Sequence, residues 1–299
     1  MGSIVMKRAF SIYTNLYILH CMEKKGWIAL DIDGTITLDK YSVPQEVTQY
    51  LRKKVQEGWS LLMTTGRPYT FASMALSQFD FPYFFSLQNG SLVMTMPSKK
   101  VLLKRDIPDH AIAFVEQAYH GIPSDFVIYA GYELGDFCYW RPRRFSPEEL
   151  HYLEDVQKRQ KESWKAVDVF EQLAPGHFPL IKCFGNEPRM KQVKKKLEET
   201  GKFQLAKIRD PFVEGCVILL VTDEKASKGN AFIEVLKKMG REGVIIAAGD
   251  DENDISLLNV ADVKIAMHHA PESLQRVASF IAPPTRDLGI IQALEIVTR

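Results

Sequence analysis

Trp27-Ile28-Ala29-Leu30-Asp31-Ile32-Asp33-Gly34-Thr35 decides the fold. The stretch Trp27–Ile32 is short and almost continuously apolar, the pattern of a parallel strand buried on both faces. It closes in acid. Residues two apart on an extended strand point the same way. Asp31 and Asp33 are therefore expected side by side at the strand's carboxyl end, where open α/β sheets hold their ligands. Two carboxylates that close repel each other. A hard divalent cation with oxygen ligands relieves that repulsion, and magnesium is the usual choice beside phosphates. Gly34 lets the chain turn sharply as it leaves the strand.

Working outward, Ser42-Val43-Pro44-Gln45 reads as a capping box with proline in the first turn. Val47, Leu51 and Val55 follow at helical spacing, and Gly58 is the stop. Trp59–Met63 is the next strand, and Phe84–Leu87 is a third. The last quarter repeats this order. Ser227 caps a helix ended by Gly240; Val244–Ala248, Val263–Met267 and Phe280–Ala282 are strands. Pro271 and Asp287 precede further helices. Strands alternating with helices at both ends of the chain predict one parallel sheet with helices on both faces. The middle differs. Phe126–Ala130, Phe137–Trp140, Leu180–Phe184, Phe203–Ile208 and Cys216–Val221 read as strands around helices at Pro147–Lys161 and Pro188–Thr200. That order predicts an antiparallel α+β module. The expected architecture is a three-layer α/β core (22–104 and 223–299) with an α+β cap (105–222) inserted in it. Residues 1–21 read as an extension that adds nothing to the chemistry.

Three further segments offer polar groups at strand ends or helix starts. Thr65-Gly66-Arg67 supplies a hydroxyl, an accessible backbone N–H and a guanidinium, all good phosphate donors. Lys228 opens a helix against the helix dipole, which a nearby anion would explain. Gly249-Asp250-Asp251-Glu252-Asn253-Asp254 is a second concentration of carboxylates after an apolar strand. Acid pair, hydroxyl, lysine, acid cluster: this set suits phosphoryl transfer to a carboxylate, with a metal ion drawing nucleophile and phosphate together.

Composition is compatible and narrows the partners. The 299 residues carry 38 Lys+Arg against 37 Asp+Glu, so no overall charge marks a nucleic-acid or acidic-membrane binder. No apolar run is long enough to span a bilayer. The four cysteines are scattered without zinc spacing and fit free thiols in a reducing compartment, so a cytoplasmic protein is expected.

Taken in order, D-I-D-G-T, T-T-G-R-P, Q-N-G, S-K-G-N-A and G-D-D-E-N-D, followed by A-D-V-K-I-A-M-H-H-A, resemble the haloacid dehalogenase (HAD) superfamily of phosphotransferases. Within it the chain is similar to the Cof-type phosphatases, which insert an α+β cap into a Rossmann-like core. The resemblance covers residues 26–299. It implies that Asp31 is the nucleophile that becomes aspartyl-phosphate and that Asp33 is the general acid and then base. It implies that Thr65, Gly66, Lys228 and Asn253 bind phosphate. Mg2+ would be held by Asp31, Asp250, Asp254 and the backbone carbonyl of Asp33. Arg67 and Asn89 would line the site or the core–cap cleft. Family dehalogenases lack the second acid, so Asp33 points to phosphate esters. The implied partner is a small phosphomonoester, such as a sugar phosphate or phosphorylated cofactor, with no nucleic acid and no membrane; the motifs are silent on oligomeric state.

A phosphomutase uses the same groups, and a catalytically silent binding protein is a third reading that the intact Asp31, Asp33, Lys228 and Asp250 oppose. His268 and His269 stand where relatives often carry glycine and asparagine, and they read as an exposed loop. In the cap, Arg141, Arg143 and Arg144 beside Tyr139 and Trp140 form a basic run suited to a second anionic group or to a solvated strand end.

Overall fold

The computed structural model describes residues 24–39, 41–170, 173, 177–210 and 213–298. The expected extension at 1–21 lies outside the described residues. The chain begins with β1 (Gly26–Asp31), α1 (Gln45–Gln56), β2 (Trp59–Thr64), α2 (Tyr69–Ala75), β3 (Tyr83–Leu87), β4 (Leu92–Met96) and β5 (Lys100–Lys104). It continues through β6 (Ile107–Pro108), α3 (Ile112–Tyr119), β7 (Phe126–Tyr129), β8 (Cys138–Trp140), α4 (Pro147–Gln160), β9 (Trp164–Ala166), β10 (His177–Phe178), β11 (Leu180–Asn186), α5 (Glu187–Glu198), β12 (Phe203–Arg209) and β13 (Cys216–Asp223). It ends with α6 (Lys228–Met239), β14 (Val244–Gly249), α7 (Ile255–Leu258), β15 (Val263–Met267), α8 (Glu272–Gln275), β16 (Phe280–Ala282) and α9 (Gly289–Val297).

The two ends of the chain build one eight-stranded sheet in the order β16-β15-β14-β1-β2-β3-β4-β5. From β16 to β3 every pair is parallel. β4 and β5 add an antiparallel edge that the sequence reading did not anticipate. β1 is buried throughout, and its side chains alternate between two cores as a strand must. Ile28 and Leu30 join Val47, Leu51 and Val55 of α1 and Ile290 and Leu294 of α9. Trp27 and Ala29 join Phe232 and Val235 of α6 and Leu257 and Leu258 of α7. The core therefore has three layers. The capping box expected at Ser42 does not form: α1 starts after Pro44 with no side-chain cap. Asp39 takes both the backbone N–H and the hydroxyl of Ser42, at 2.8 and 2.9 Å, so a local turn claims the would-be cap.

The middle of the chain forms a separate six-stranded sheet, β12-β13-β11-β7-β8-β9. It is antiparallel except for β8 beside β9. One face, with Ile128, Cys183 and Leu219, packs on α3 and α5. The other, with Val127, Tyr129, Leu180, Phe184 and Leu220, packs partly on α4. The sequence reading missed α3 and β9. Two short strands, β6 and β10, pair apart from both sheets.

Candidate active site

The parallel register brings the acidic strand ends to one edge. β1 lies between β14 and β2, with Leu30 opposite Ala248 and Asp31 opposite Thr64. Asp31 thus ends the central strand, Asp250 follows the end of one neighbour, and Thr65 follows the end of the other. The chain makes a tight reversal after Asp33. Gly34 has φ +75°, and a Cβ there would stand 2.2 Å from Oδ2 of Asp250, so only glycine lets the two acidic loops meet.

Lys228, at the start of α6, is buried among these carboxylates. Its Nζ donates to Oδ1 of Asp31 at 2.6 Å and to Oδ1 of Asp254 at 2.5 Å. Ser227 caps the helix by accepting from the Asn230 N–H at 3.1 Å. The other oxygen of Asp254 accepts the backbone N–H groups of Asp250 and Asp251, at 3.0 and 3.2 Å. Asp254 is thereby fully held, and it fixes the loop that carries Asp250. Oδ2 of Asp31 is buried with no hydrogen-bond partner. An oxygen of each of Asp31, Asp250 and Asp254 lies within 4.8 Å of the others, a grouping able to hold a metal ion.

The electrostatics fit that use. Burial pushes the Asp31 carboxyl well above its usual range; Lys228 pulls it down, and Asp254, Asp250 and Asp33 push it up again. Burial and Asp254 push Asp250 up to about 8. Burial alone would lower Lys228, but Asp254 and Asp31 outweigh it and hold the ammonium charged. One cation is thus surrounded by more carboxylate than it neutralises, and a second, hard cation would correct the imbalance.

Asp33 belongs to a neighbouring constellation. Nε of Arg67 donates to Asp33 Oδ2 at 2.8 Å, and Nη2 donates to Oδ1, a two-pronged pair. The Arg67 guanidinium also lies 4.0 Å above the Phe71 ring. The Thr65 hydroxyl donates to Asp33 Oδ2 at 3.5 Å and accepts the Arg67 N–H at 3.1 Å. Asn89 sits behind this wall, buried, at φ +56°. Its N–H donates to the Thr65 carbonyl at 3.0 Å, and its side chain accepts from Asn253 at 3.4 Å.

Asp31, Asp33, Gly66, Arg67, Lys228, Asp250 and Asn253 line one cleft of about 290 Å³. Thr65, Asp254 and Asn89 each touch members of that lining. The opposite wall comes from the six-stranded sheet and α4, through Gln160, Lys182, Ile208, Asp210, Ile218 and Leu220. None of these six was singled out in the sequence; Lys182 left one trace, a cation inside an otherwise apolar strand. The arginine run lies elsewhere. Arg141 is buried against Asp125, with two bonds of 2.7 Å, and against Glu116 at 2.6 Å. The internal pair accounts for it without a ligand. His268 and His269 are exposed, as expected, and His269 Nε2 also stands 3.2 Å from Oδ2 of Asp250.

The family model of the haloacid dehalogenase-like hydrolases matches residues 28–294. The chain is similar to phosphatase YwpJ of Bacillus subtilis (strain 168), at 24% identity over 289 residues, 90% of this chain and 98% of that protein. Among solved structures it is similar to a HAD phosphatase from Bacteroides thetaiotaomicron, with TM-score 0.72, 20% identity and coverage of 91% of this chain and 95% of that one. A HAD subclass IIB sugar phosphatase also matches, with TM-score 0.72, 18% identity and coverage of 91% and 99%. On the family match, which spans most of the chain, the chain belongs to the haloacid dehalogenase-like hydrolases.

Proposed function

We propose that the enzyme is a Mg2+-dependent phosphatase of small phosphorylated metabolites, sugar phosphates or phosphorylated cofactors, working through an aspartyl-phosphate on Asp31. The observation that carries this reading is the division of labour at Asp31. Lys228 occupies one carboxylate oxygen at 2.6 Å, while the other is buried without a partner in a residue that lines the cleft. A desolvated carboxylate oxygen free of hydrogen bonds is what a nucleophile needs.

Asp31 Oδ2 attacks phosphorus, and the ester oxygen leaves with a proton from Asp33. Asp33 then takes a proton from the water that attacks the aspartyl-phosphate, releasing inorganic phosphate and restoring Asp31. Arg67 and Thr65 hold Asp33 as a carboxylate before substrate binds, so Asp33 must leave the Arg67 pair to carry the proton it gives. Lys228 fixes Asp31 and offsets negative charge on the phosphoryl oxygens. Asp31, Asp250 and the Asp33 carbonyl would hold Mg2+, with Asp254 ligating it directly or through water. Bound there, the ion supplies the positive charge that lets a carboxylate approach a phosphate. Gly66 and Asn253 complete the phosphate side. We assign residues 22–104 and 223–299 to the core that carries this chemistry and 105–222 to the cap. The free thiols Cys138, Cys183 and Cys216 support a cytoplasmic setting. No helix among the described residues is long and apolar enough to cross a membrane.

Phosphate release from a panel of phosphorylated metabolites, without a bisphosphate activator, tests the reading. Asp31→Asn is expected to lower kcat by at least about 10³-fold with folding retained. EDTA-stripped protein is expected to be inactive and to recover on adding Mg2+. Full activity in either case excludes the mechanism.

A further inference from the structure

The wall facing the nucleophile carries an unpaired charge. On β11, Lys182 stands opposite Val127 of β7 and Leu220 of β13. Its neighbours on that face, Leu180 and Phe184, are buried in an apolar cluster with Tyr129 and Ile218. Lys182 is itself only 6% exposed. Its Nζ lies 4.5 Å from the centre of the Tyr129 ring, and among the described residues no carboxylate forms an ion pair with it.

Glu162 feels the Lys182 charge but is engaged elsewhere. It accepts the Tyr129 hydroxyl and the Trp164 indole N–H, both at 3.0 Å. Lys182 acts on it only through the longer-range field. Gln160, which ends α4, shares this wall; it is 8% exposed, and its Oε1 is buried without a hydrogen-bond partner. A buried ammonium without a counter-ion and a buried amide oxygen without a donor both cost free energy. A ligand that brings an anion to the first and a hydroxyl to the second recovers that cost.

We infer that Lys182 and Gln160 form a specificity site for a second anionic group, carboxylate or phosphate, beside a hydroxyl on the alcohol portion of the substrate. This deepens the phosphatase reading and rests on it for the phosphorylated end of the ligand. The two residues touch the part of the substrate that leaves, so they select it and take no part in bond breaking. A neutral alcohol of the same size leaves Lys182 uncompensated and binds more weakly.

Matched ligands test this on the full-length Asp31→Asn protein, with binding read by calorimetry in Mg2+. 3-Phosphoglycerate and glycerol 3-phosphate differ by a carboxylate in place of a hydroxymethyl group. Fructose 1,6-bisphosphate and fructose 1-phosphate differ by a second phosphate. The doubly anionic member of at least one pair is expected to bind roughly tenfold more tightly than its partner, and the responding pair identifies the anion. Lys182→Met in the same background is expected to reduce that preference below about threefold, and Lys182→Arg to keep it. Lys182→Gln serves where Lys182→Met does not fold. No preference in either pair, or a preference that survives loss of the ammonium, overturns the inference. Turnover by the wild-type protein separates the two claims. Selective binding without phosphate release from any monoester tells against the phosphatase reading and supports the recognition site. Release without selectivity does the reverse.

Discussion

Two buried lysines face one cleft, and their surroundings are opposite. Lys228 sits at the core's strand ends between Asp31 and Asp254, 2.6 and 2.5 Å away. Lys182 sits on the second sheet among apolar side chains, over an aromatic ring. The same desolvation cost is met inside the protein in one case and left open in the other. On the proposed mechanism the contrast separates two tasks. Lys228, proposed to hold the nucleophile in every turnover, carries its own partners. Lys182, inferred to choose among leaving groups, leaves its partner to be supplied by the ligand.

Lys228→Met tests the first half of that contrast and carries the larger expected effect of the two lysine substitutions. It leaves Asp31 and Asp254 buried near each other without their cation. Breaking a buried pair this way costs about 3–5 kcal/mol, and catalysis should fall by at least about 10²-fold. Thermal unfolding and phosphate release read the two losses. Lys182→Met replaces a lone charge with a side chain like its neighbours and should cost far less stability. Equal losses from the two substitutions would erase the distinction between them.

The same contrast explains what the sequence disclosed. Asp31, Asp33, Lys228, Asp250 and Asp254 lie in short segments whose neighbours already predict a strand end or a helix start. Parallel pairing then had one way to bring those ends to one edge. The six-stranded sheet gave no such local sign. Lys182 owes its setting to Val127, Leu220 and Glu162, which are far from it in sequence and meet only through antiparallel pairing and the end of α4. In the arginine run, Arg143 and Arg144 are exposed as a solvated strand end would be, and Arg141 departs from it for the same reason. Arg141 finds Asp125 and Glu116 inside the fold, where no spacing rule pointed. The β4–β5 edge was missed because Lys99 and Lys100 obscure the strand pattern at its turn.

Glu162→Gln sharpens the comparison from the carboxylate's side. Burial raises the Glu162 carboxyl above its usual value, against the pull of Lys182, Trp164 and Tyr129. The folded state therefore holds this proton more tightly than the unfolded chain does. Its contribution to stability is full below the unfolded value of about 4.3 and is lost as pH rises through the folded one. The melting temperature of the wild type relative to Glu162→Gln should accordingly be highest at the acid end of a series from pH 4.5 to 8 and fall toward neutrality. A rise toward neutrality would mean that Glu162 is ionised and paired with Lys182 as Asp31 is with Lys228, and the two lysines would then be alike.

Gly66→Ala carries the smallest expected effect and tests how closely the two walls meet. A Cβ at Gly66 would stand 3.0 Å from Cδ1 of Leu220, the flexible end of a side chain on the second sheet. The added methyl group has little to displace, so a stability change of about 1 kcal/mol or less is expected. Its consequence should fall on the cleft instead. Pushing the Leu220 side chain aside narrows the cleft between the wall that carries Lys182 and the loop that carries Thr65 and Arg67, and KM should rise a few-fold with kcat nearly unchanged. Leu220→Ala added to Gly66→Ala makes room for the methyl group and should restore KM, a coupling that a double-mutant cycle measures. Additive losses would place the effect in the Gly66 backbone and its proposed phosphate contact, and the spacing between the lysine-bearing walls would then have no part in substrate choice.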